Sequence, residues 1–328
     1  MNNQSVFIAQ CKEKVEDGNF ANDLAALIGV NVDAAYRRIR GVTALTYHEI
    51  EKMCVHYSVS FDSVINYHGR LVPFQFNAMF REGFSIEVYL QQISDQLKEL
   101  ATSQESRFVI TAMDLPYFRQ FGFKGLSQFK LFFWQRSVLN LPDFRSKKFD
   151  LSSEPSNYDA LTQSIFENYY QVSSTEIWTP ESVDSSIKQI EYYFDAGMFE
   201  DDTIAAKLCD ELTELIENVQ KEAEFGRKQI QTKDGTKSAR FEMYQSDIFL
   251  SNNSIQAYNK GRVYTYLSFN SFNSLMSFSP SFSDECHEWI EQIRIKSILL
   301  SEVSEKLRYQ YFLGLQKKID RLRVKVSE

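Results

Sequence analysis

Apolar residues recur three or four positions apart along most of the chain, which is the spacing of helices with one buried face. In the amino-terminal region this pattern predicts five short helices, at about 4–16, 20–28, 32–40, 46–56 and 60–65. Asn31 and Thr46 stand where helices begin and are predicted N-caps. Gly29 and Gly41 supply the turns that end two of the helices. The pattern therefore predicts a compact all-helical domain.

The remainder of the chain is predicted to be mostly helical with a small antiparallel sheet. The expected helices lie at about 86–103, 117–139, 158–171, 181–197, 201–226, 283–299 and 301–325. A short strand is expected at 109–113, and a meander of three or four strands at 240–282, where Phe, Tyr, Ser and Asn are frequent. The predicted fold class is mainly α, α+β overall, with domains 1–67 and 85–328 joined by a linker at 68–84.

The last predicted helix carries one continuous apolar stripe. Its members are Val303, Leu307, Tyr311, Leu315, Ile319, Leu322 and Val326. Such a stripe can pack on its own domain or pair with a second copy of the chain. We expect a homodimer formed by the large domain, because paired DNA half-sites require two reading helices.

Composition excludes several protein classes. The formal net charge is −8, so any contact with nucleic acid must come from a local patch. No apolar run approaches the ~20 residues of a membrane span, and we expect a cytoplasmic protein with no membrane contact. Four scattered Cys and four His lack the paired spacing of a metal site. Without a catalytic motif, we expect neither an enzyme nor a cofactor.

The predicted helix at 32–40 has two unlike faces when its residues are placed 100° apart. The side predicted to pack on the small domain consists of Val32, Ala35 and Ile39. The opposite side carries Asp33, Ala34, Arg37 and Arg40, with Tyr36 and Arg38 at the edges. Small residues allow a helix to approach the major groove, and a guanidinium can reach guanine or phosphate. A generic helical hairpin, with Asp33 and Arg37 as a surface pair, is the alternative.

Residues 4–67 resemble the Cro/repressor-type (XRE, lambda-repressor-like) helix-turn-helix family. Ala25 and Gly29 match its small residue and turn glycine, Gly41 matches the end of its recognition helix, and the 57–60 stretch matches its closing element. Arg38 departs from the family, which usually has an apolar residue there; Ile39 takes that packing role. The resemblance implies contacts with DNA. The candidate DNA-binding residues are Asn31, Val32, Asp33, Ala34, Tyr36, Arg37, Arg38, Arg40 and Thr43.

These observations predict a sequence-specific DNA-binding transcriptional regulator that binds double-stranded DNA. The large domain is expected to dimerise or to respond to a small-molecule or protein effector. Aromatic clusters at 129–134 and 192–194 are expected in the core, or else around a pocket for an apolar or aromatic ligand. The alternative function is a protein-interaction scaffold whose helices form a groove for a peptide. A third is an enzyme with an appended DNA-binding domain.

Overall fold

The protein folds into two compact units, which are residues 1–74 and 75–328. We call them the amino-terminal and carboxyl-terminal units. The computed structural model describes residues 3–15, 19–64, 71–81, 83–151, 158–232, 235–248, 250 and 252–327. The division between the units falls within the predicted linker 68–84, part of which lies outside the described residues, as does the predicted end of the first helix at 16.

Four short α-helices and a 3-10 turn make up the described part of the amino-terminal unit. They are α1 (Asn3–Lys12), α2 (Phe20–Ile28), α3 (Val32–Ile39), α4 (Tyr47–Tyr57) and the 3-10 turn Phe61–Val64. The bounds of α2 and α3 agree with the predicted helices to within one residue. The fifth predicted helix is a single 3-10 turn in its described part. Phe7, Leu24, Ala35 and Met53 are fully buried at the centre of this unit.

The carboxyl-terminal unit alternates helices with strands. In chain order it contains α5 (Ile86–Thr102), β1 (Arg107–Ala112), α6 (Tyr117–Gln120), α7 (Lys124–Phe133), a π-helical turn (Trp134–Val138), a 3-10 turn (Pro142–Phe144), α8 (Asp159–Gln171), β2 (Ser173–Trp178), α9 (Asp184–Asp195), α10 (Thr203–Phe225), β3 (Arg227–Thr232), β4 (Gly235–Gln245), β5 (Ser254–Asn259), β6 (Arg262–Phe269), β7 (Asn273–Ser277), α11 (Pro280–Ile295), β8 (Ile298–Leu299) and α12 (Glu305–Ser327).

The sheet is larger than predicted and is mixed. Among the described residues, eight strands are joined in the order β3-β4-β2-β1-β5-β6-β7, with β8 paired to β4. The pairs β1–β2 and β2–β4 are parallel, while β1–β5, β5–β6 and β6–β7 are antiparallel. The described chain is 55% helical and 17% strand, and its fold class is α/β. The expected mainly helical fold with a small antiparallel sheet is therefore wrong.

Alternate residues of each strand face two different helical layers. On β1, Phe108 and Ile110 join the main core with most of the helices. Val109 points to the other face, where it packs with Ile290 and Ile293 of α11. The sheet is thus covered on both faces, as is usual for parallel strands. The predicted aromatic clusters mostly fill the main core; Phe129, for example, lies edge-on against Tyr193, with 5.1 Å between ring centroids.

The apolar stripe of α12 packs within its own unit. Tyr311, Leu315 and Ile319 are buried in the main core, and the helix lies against α10 and α9. Val303, the first member of the predicted stripe, lies before the helix and is 80% exposed. Most of the stripe is therefore buried within its own unit, and dimerisation remains a prediction that α12 does not support.

A carboxylate is fully buried in the middle of the sheet, on the helical side of β2. Glu176 accepts hydrogen bonds from Arg119 Nε and Nη2 at 3.3 and 3.1 Å, and from Trp178 Nε1 at 3.0 Å. It also accepts bonds from the hydroxyls of Ser174 and Tyr169. Burial raises the pKa of Glu176, but the nearby positive charges outweigh burial and lower it below its usual value. Glu176 is therefore ionised and fully satisfied.

The guanidinium of Arg119 joins this carboxylate to α10. Its Nη1 donates to Glu222 at 2.6 Å, and the Arg119 side chain is fully buried. Lys228 of β3 is also fully buried, and its Nζ donates to the carbonyl of Tyr169 at 3.0 Å. Burial lowers the pKa of Lys228 to about 7. We call Arg119, Glu176, Glu222 and Lys228 the buried charge network.

We expect Glu176→Gln to lower the free energy of unfolding by about 3–5 kcal/mol, because removing one partner of a buried ion pair leaves uncompensated charge. The control is Glu291→Gln, which removes a partly exposed pair with Arg294 at 2.7 Å and should cost at most about 1 kcal/mol. Urea unfolding measures both. Equal losses in the two variants would contradict the importance of the buried charge network.

We also expect Lys228 to make stability depend on pH above neutrality. Burial lowers its pKa from the usual 10.5 to about 7 in the folded chain. Between these values the unfolded chain binds a proton that the folded chain does not, so stability rises with pH. Lys228→Met should remove this contribution. Unfolding of both proteins between pH 7 and about 9 measures the difference in slope; parallel curves would contradict the assignment.

Candidate nucleic-acid interface

The turn before α3 sets the angle between α2 and α3. Gly29 has a φ of +73°, a left-handed conformation that side chains rarely adopt. A Cβ atom added there meets nothing within 4 Å, so the backbone angle requires glycine and available space does not. The amides of Gly29 and Val30 both donate to the carbonyl of Ala25 at 3.0 Å. The Ala25 side chain is buried in the core of the amino-terminal unit.

Asn31 begins α3 as a side-chain cap. Its Oδ1 accepts from the amide of Ala34 at 2.8 Å, which satisfies one of the free donors at the helix start. The predicted cap is confirmed. Because the oxygen is used in this way, the amide nitrogen of the exposed Asn31 side chain is the group that remains able to donate to another molecule.

The inner flank of α3 is held to α4 by an ion pair. Arg38 Nη2 lies 2.8 Å from Glu49 Oε1, and Arg38 Nη1 donates to the carbonyl of Ala34 at 3.3 Å. Burial raises the pKa of Glu49, but the bonds from Arg38 and Thr46 outweigh burial and hold the pKa below its usual value. Glu49 also accepts from the amide of Thr46 at 2.8 Å, which completes the predicted capping box of α4.

A glutamine from α1 fixes the chain that follows α3. Gln4 Nε2 donates to the carbonyls of Arg38 and Thr43, at 2.9 and 2.8 Å. Its Oε1 accepts from the amide of Leu45 at 3.0 Å. This side chain closes the loop between α3 and α4 by replacing backbone hydrogen bonds, so the end of α3 has a defined position relative to α1.

The outer flank of α3 is exposed and chemically mixed. The side chains that form it are Val32, Asp33, Tyr36, Arg37 and Arg40. Tyr36 is 47% exposed, and Arg40 Nε donates to its carbonyl at 3.3 Å. The Arg37 side chain has neither a hydrogen bond nor an ion pair among the described residues, so its whole guanidinium is available. We call these five residues the outer flank.

The other candidate residues differ in exposure and in their contacts. Val32 is 39% exposed, so its predicted place on the packed side is wrong, while the DNA-facing position implied by the resemblance agrees with its exposure. Ala34 is half-buried, and Arg38 is occupied by Glu49. Thr43 is half-buried, and its hydroxyl has no hydrogen-bond partner in the described part of the chain. Because its guanidinium is paired with Glu49, Arg38 holds α3 in place and does not belong to the outer flank.

Sequence reasoning missed three residues around α3. Val42, within the loop that Gln4 closes, is 75% exposed, and Tyr47, directly after that loop, is 82% exposed. An exposed tyrosine at the start of a capped helix can be recognised as a candidate contact. Gln4 has no such signal, because its partners lie 34 to 41 positions away.

No protein-family model matches this chain, and no curated protein or solved structure is significantly similar to it. Within the described residues, no three His, Cys, Asp or Glu side chains are grouped in a way that could hold a metal ion. Helices in the same residues are all too short or too polar to cross a membrane.

We expect Glu49→Ala to loosen α3 and α4, because it leaves Arg38 unpaired and removes half of the capping box. The local cost should be about 1–3 kcal/mol. Glu51→Ala is a matched control, since Glu51 lies one half-turn away and, among the described residues, its side chain has only His48 as a polar partner, at 3.4 Å. Hydrogen exchange of α3 and α4 amides in the full chain measures the effect. Equal protection in both variants would show that the Arg38–Glu49 pair does not hold α3.

Proposed function

We propose that this protein is a sequence-specific DNA-binding transcriptional regulator and that α3 is its recognition helix. The observation that carries the proposal is the difference between the two flanks of α3. On the inner flank Arg38 is held to α4 by an ion pair, whereas the side chains of the outer flank are exposed. Asn31 caps the start of the helix, and Arg38 and Gln4 hold its last turn to α4 and α1. The outer flank is left without structural duties, which is the arrangement that reading base edges requires.

Four of the five side chains of the outer flank match features of the major groove. Arg37 can donate two bonds to guanine, and Asp33 can accept from the amino group of cytosine. Val32 and the ring of Tyr36 offer apolar contact to thymine methyl groups. The amide nitrogen of Asn31 can donate to a base edge or phosphate. We propose these residues as the reading set.

Groups beside α3 suit contact with the phosphate backbone. The Thr43 hydroxyl and the exposed Tyr47 hydroxyl can donate to phosphate oxygens, as polar side chains commonly do. Residues 1–74 contain seven Lys and Arg against eight Asp and Glu, so the unit has no general attraction for DNA. Recognition must therefore depend on local contacts, with Arg37 and Arg40 as the main charges.

We propose that two copies bind together, since an eight-residue reading helix contacts few base pairs. The carboxyl-terminal unit supplies the contact between copies by a surface other than the stripe of α12, and responds to an effector. We propose a cytoplasmic location for this protein, because a regulator must be in the same compartment as its DNA.

Selection from a randomised duplex library tests this proposal with the full chain. We expect one enriched motif, a complex containing two protein chains, and affinity that falls as salt rises, because phosphate contacts release counterions. Absence of any enriched motif at low salt would overturn the proposal in favour of an interaction scaffold.

Within that assay, Arg37→Ala should weaken binding to the selected site by about 1–3 kcal/mol while the fold survives. The control is Arg240→Ala, which removes a 74% exposed arginine of the carboxyl-terminal unit. Gel-shift titration compares the two. If Arg37→Ala binds like the control, Arg37 does not contact DNA.

A further inference from the structure

A cleft of about 820 Å³ opens in the carboxyl-terminal unit, between the π-helical turn and α9. Met113 and Asp114 directly follow β1, and Glu181 lies shortly after β2. Because β1 and β2 are parallel, their carboxyl ends meet at this edge of the sheet. Ligands of α/β proteins commonly bind at such an edge. The volume lies within the roughly 300–1,000 Å³ that is usual for small-molecule sites.

Positive charge exceeds free negative charge around the cleft, although the whole chain has a net charge of −8. Arg136, Arg145 and Lys188 line it. Of the lining carboxylates, Asp184 is already paired with Lys318 at 2.8 Å, which leaves Asp114 and Glu181.

A buried lysine lies behind the lining residue Gln189 and interacts electrostatically with the lining carboxylate Asp114. Lys130 Nζ donates to Oε1 of the lining residue Gln189 at 2.7 Å. Burial lowers the pKa of Lys130 to about 8, so the ammonium form still predominates at pH 7.

The two arginines of the cleft are held by hydrogen bonds, yet each keeps N–H groups that are not used in these bonds. Arg145 Nε donates to both oxygens of Asn140 at 3.1 Å, and Arg136 Nη1 donates to the carbonyl of Lys147. Their other N–H groups have no partner in the described part of the chain. Lys188 has neither a hydrogen bond nor a carboxylate within 4.0 Å among these residues. Fixed guanidinium groups with free N–H donors are well suited to a carboxylate or a phosphate.

Part of the cleft wall is apolar. Phe133, Met198 and the ring of Tyr192 line it together with Met113. Apolar walls with a few converging charges are the usual composition of small-molecule sites. We propose that this cleft binds a small organic anion, with a carboxylate or phosphate group held by Arg136, Arg145 and Lys188 and an apolar body held against Phe133 and Tyr192. This inference does not depend on DNA binding by the amino-terminal unit.

Ligand-observed NMR titration of the full chain tests the site with phenyl phosphate, benzoate and benzyl alcohol. We expect saturable binding of at least one anion and about tenfold or weaker binding of the neutral alcohol, because charge-assisted bonds are lost. The tighter anion identifies the group that the cleft prefers. The proposal would be overturned if neither anion showed saturable binding, or if benzyl alcohol bound as tightly as the anions.

A double variant locates the binding. Arg145→Gln with Lys188→Gln should weaken anion binding about tenfold or more, and both side chains are exposed enough for the fold to tolerate the change. The matched control, Arg227→Gln with Lys98→Gln, removes the same charges from exposed positions outside the cleft. Binding unchanged in the first variant, or weakened equally in the second, would overturn the site.

Discussion

Burying the Glu176 carboxylate constrains most of the carboxyl-terminal unit. A carboxylate removed from water is tolerated only when hydrogen bonds and opposite charge replace its hydration. Glu176 receives these from α6, α8 and its own strand, and Arg119 extends the contact to Glu222 of α10. Apolar packing alone would allow these helices to slide over the sheet, whereas directional bonds to one strand residue do not. The buried charge network therefore selects one arrangement of the layers.

The same network explains why sequence patterns predicted the helices better than the sheet. Helices such as α3 and α4 carry local signals, since Asn31 and Thr46 mark their starts and act within three residues. β2 has no comparable signal, because its inward positions include Ser174 and Glu176 in place of apolar residues. Its partners β1 and β4 lie more than 60 positions away, so parallel pairing could not be deduced from local periodicity.

The position of α3 could be predicted from the sequence, but the roles of its individual side chains were harder to predict. The spacing of the two glycines and the caps located α3, but a helical wheel placed Val32 inside. A helical wheel assumes that one face of the helix is covered along its whole length. Val32 is the first residue of α3, and its exposure shows that the rest of the unit does not cover this end of the helix. Arg38 could not be assigned because its role depends on Glu49 across the loop. The α12 stripe was similarly ambiguous, since periodicity shows that a face is buried but not by what.

The two flanks of α3 have a consequence for how such a protein can change over generations. The side chains of Asp33, Tyr36 and Arg37 are exposed, and the hydrogen bonds at the end of α3 use only the backbone of these residues, so substitutions there carry little folding penalty. Ala35 and Arg38 can meanwhile remain as they are, and with them the position of the helix. If α3 has the proposed role, a gene duplicate could acquire a new binding preference by drift at a few surface positions, without passing through an unstable intermediate.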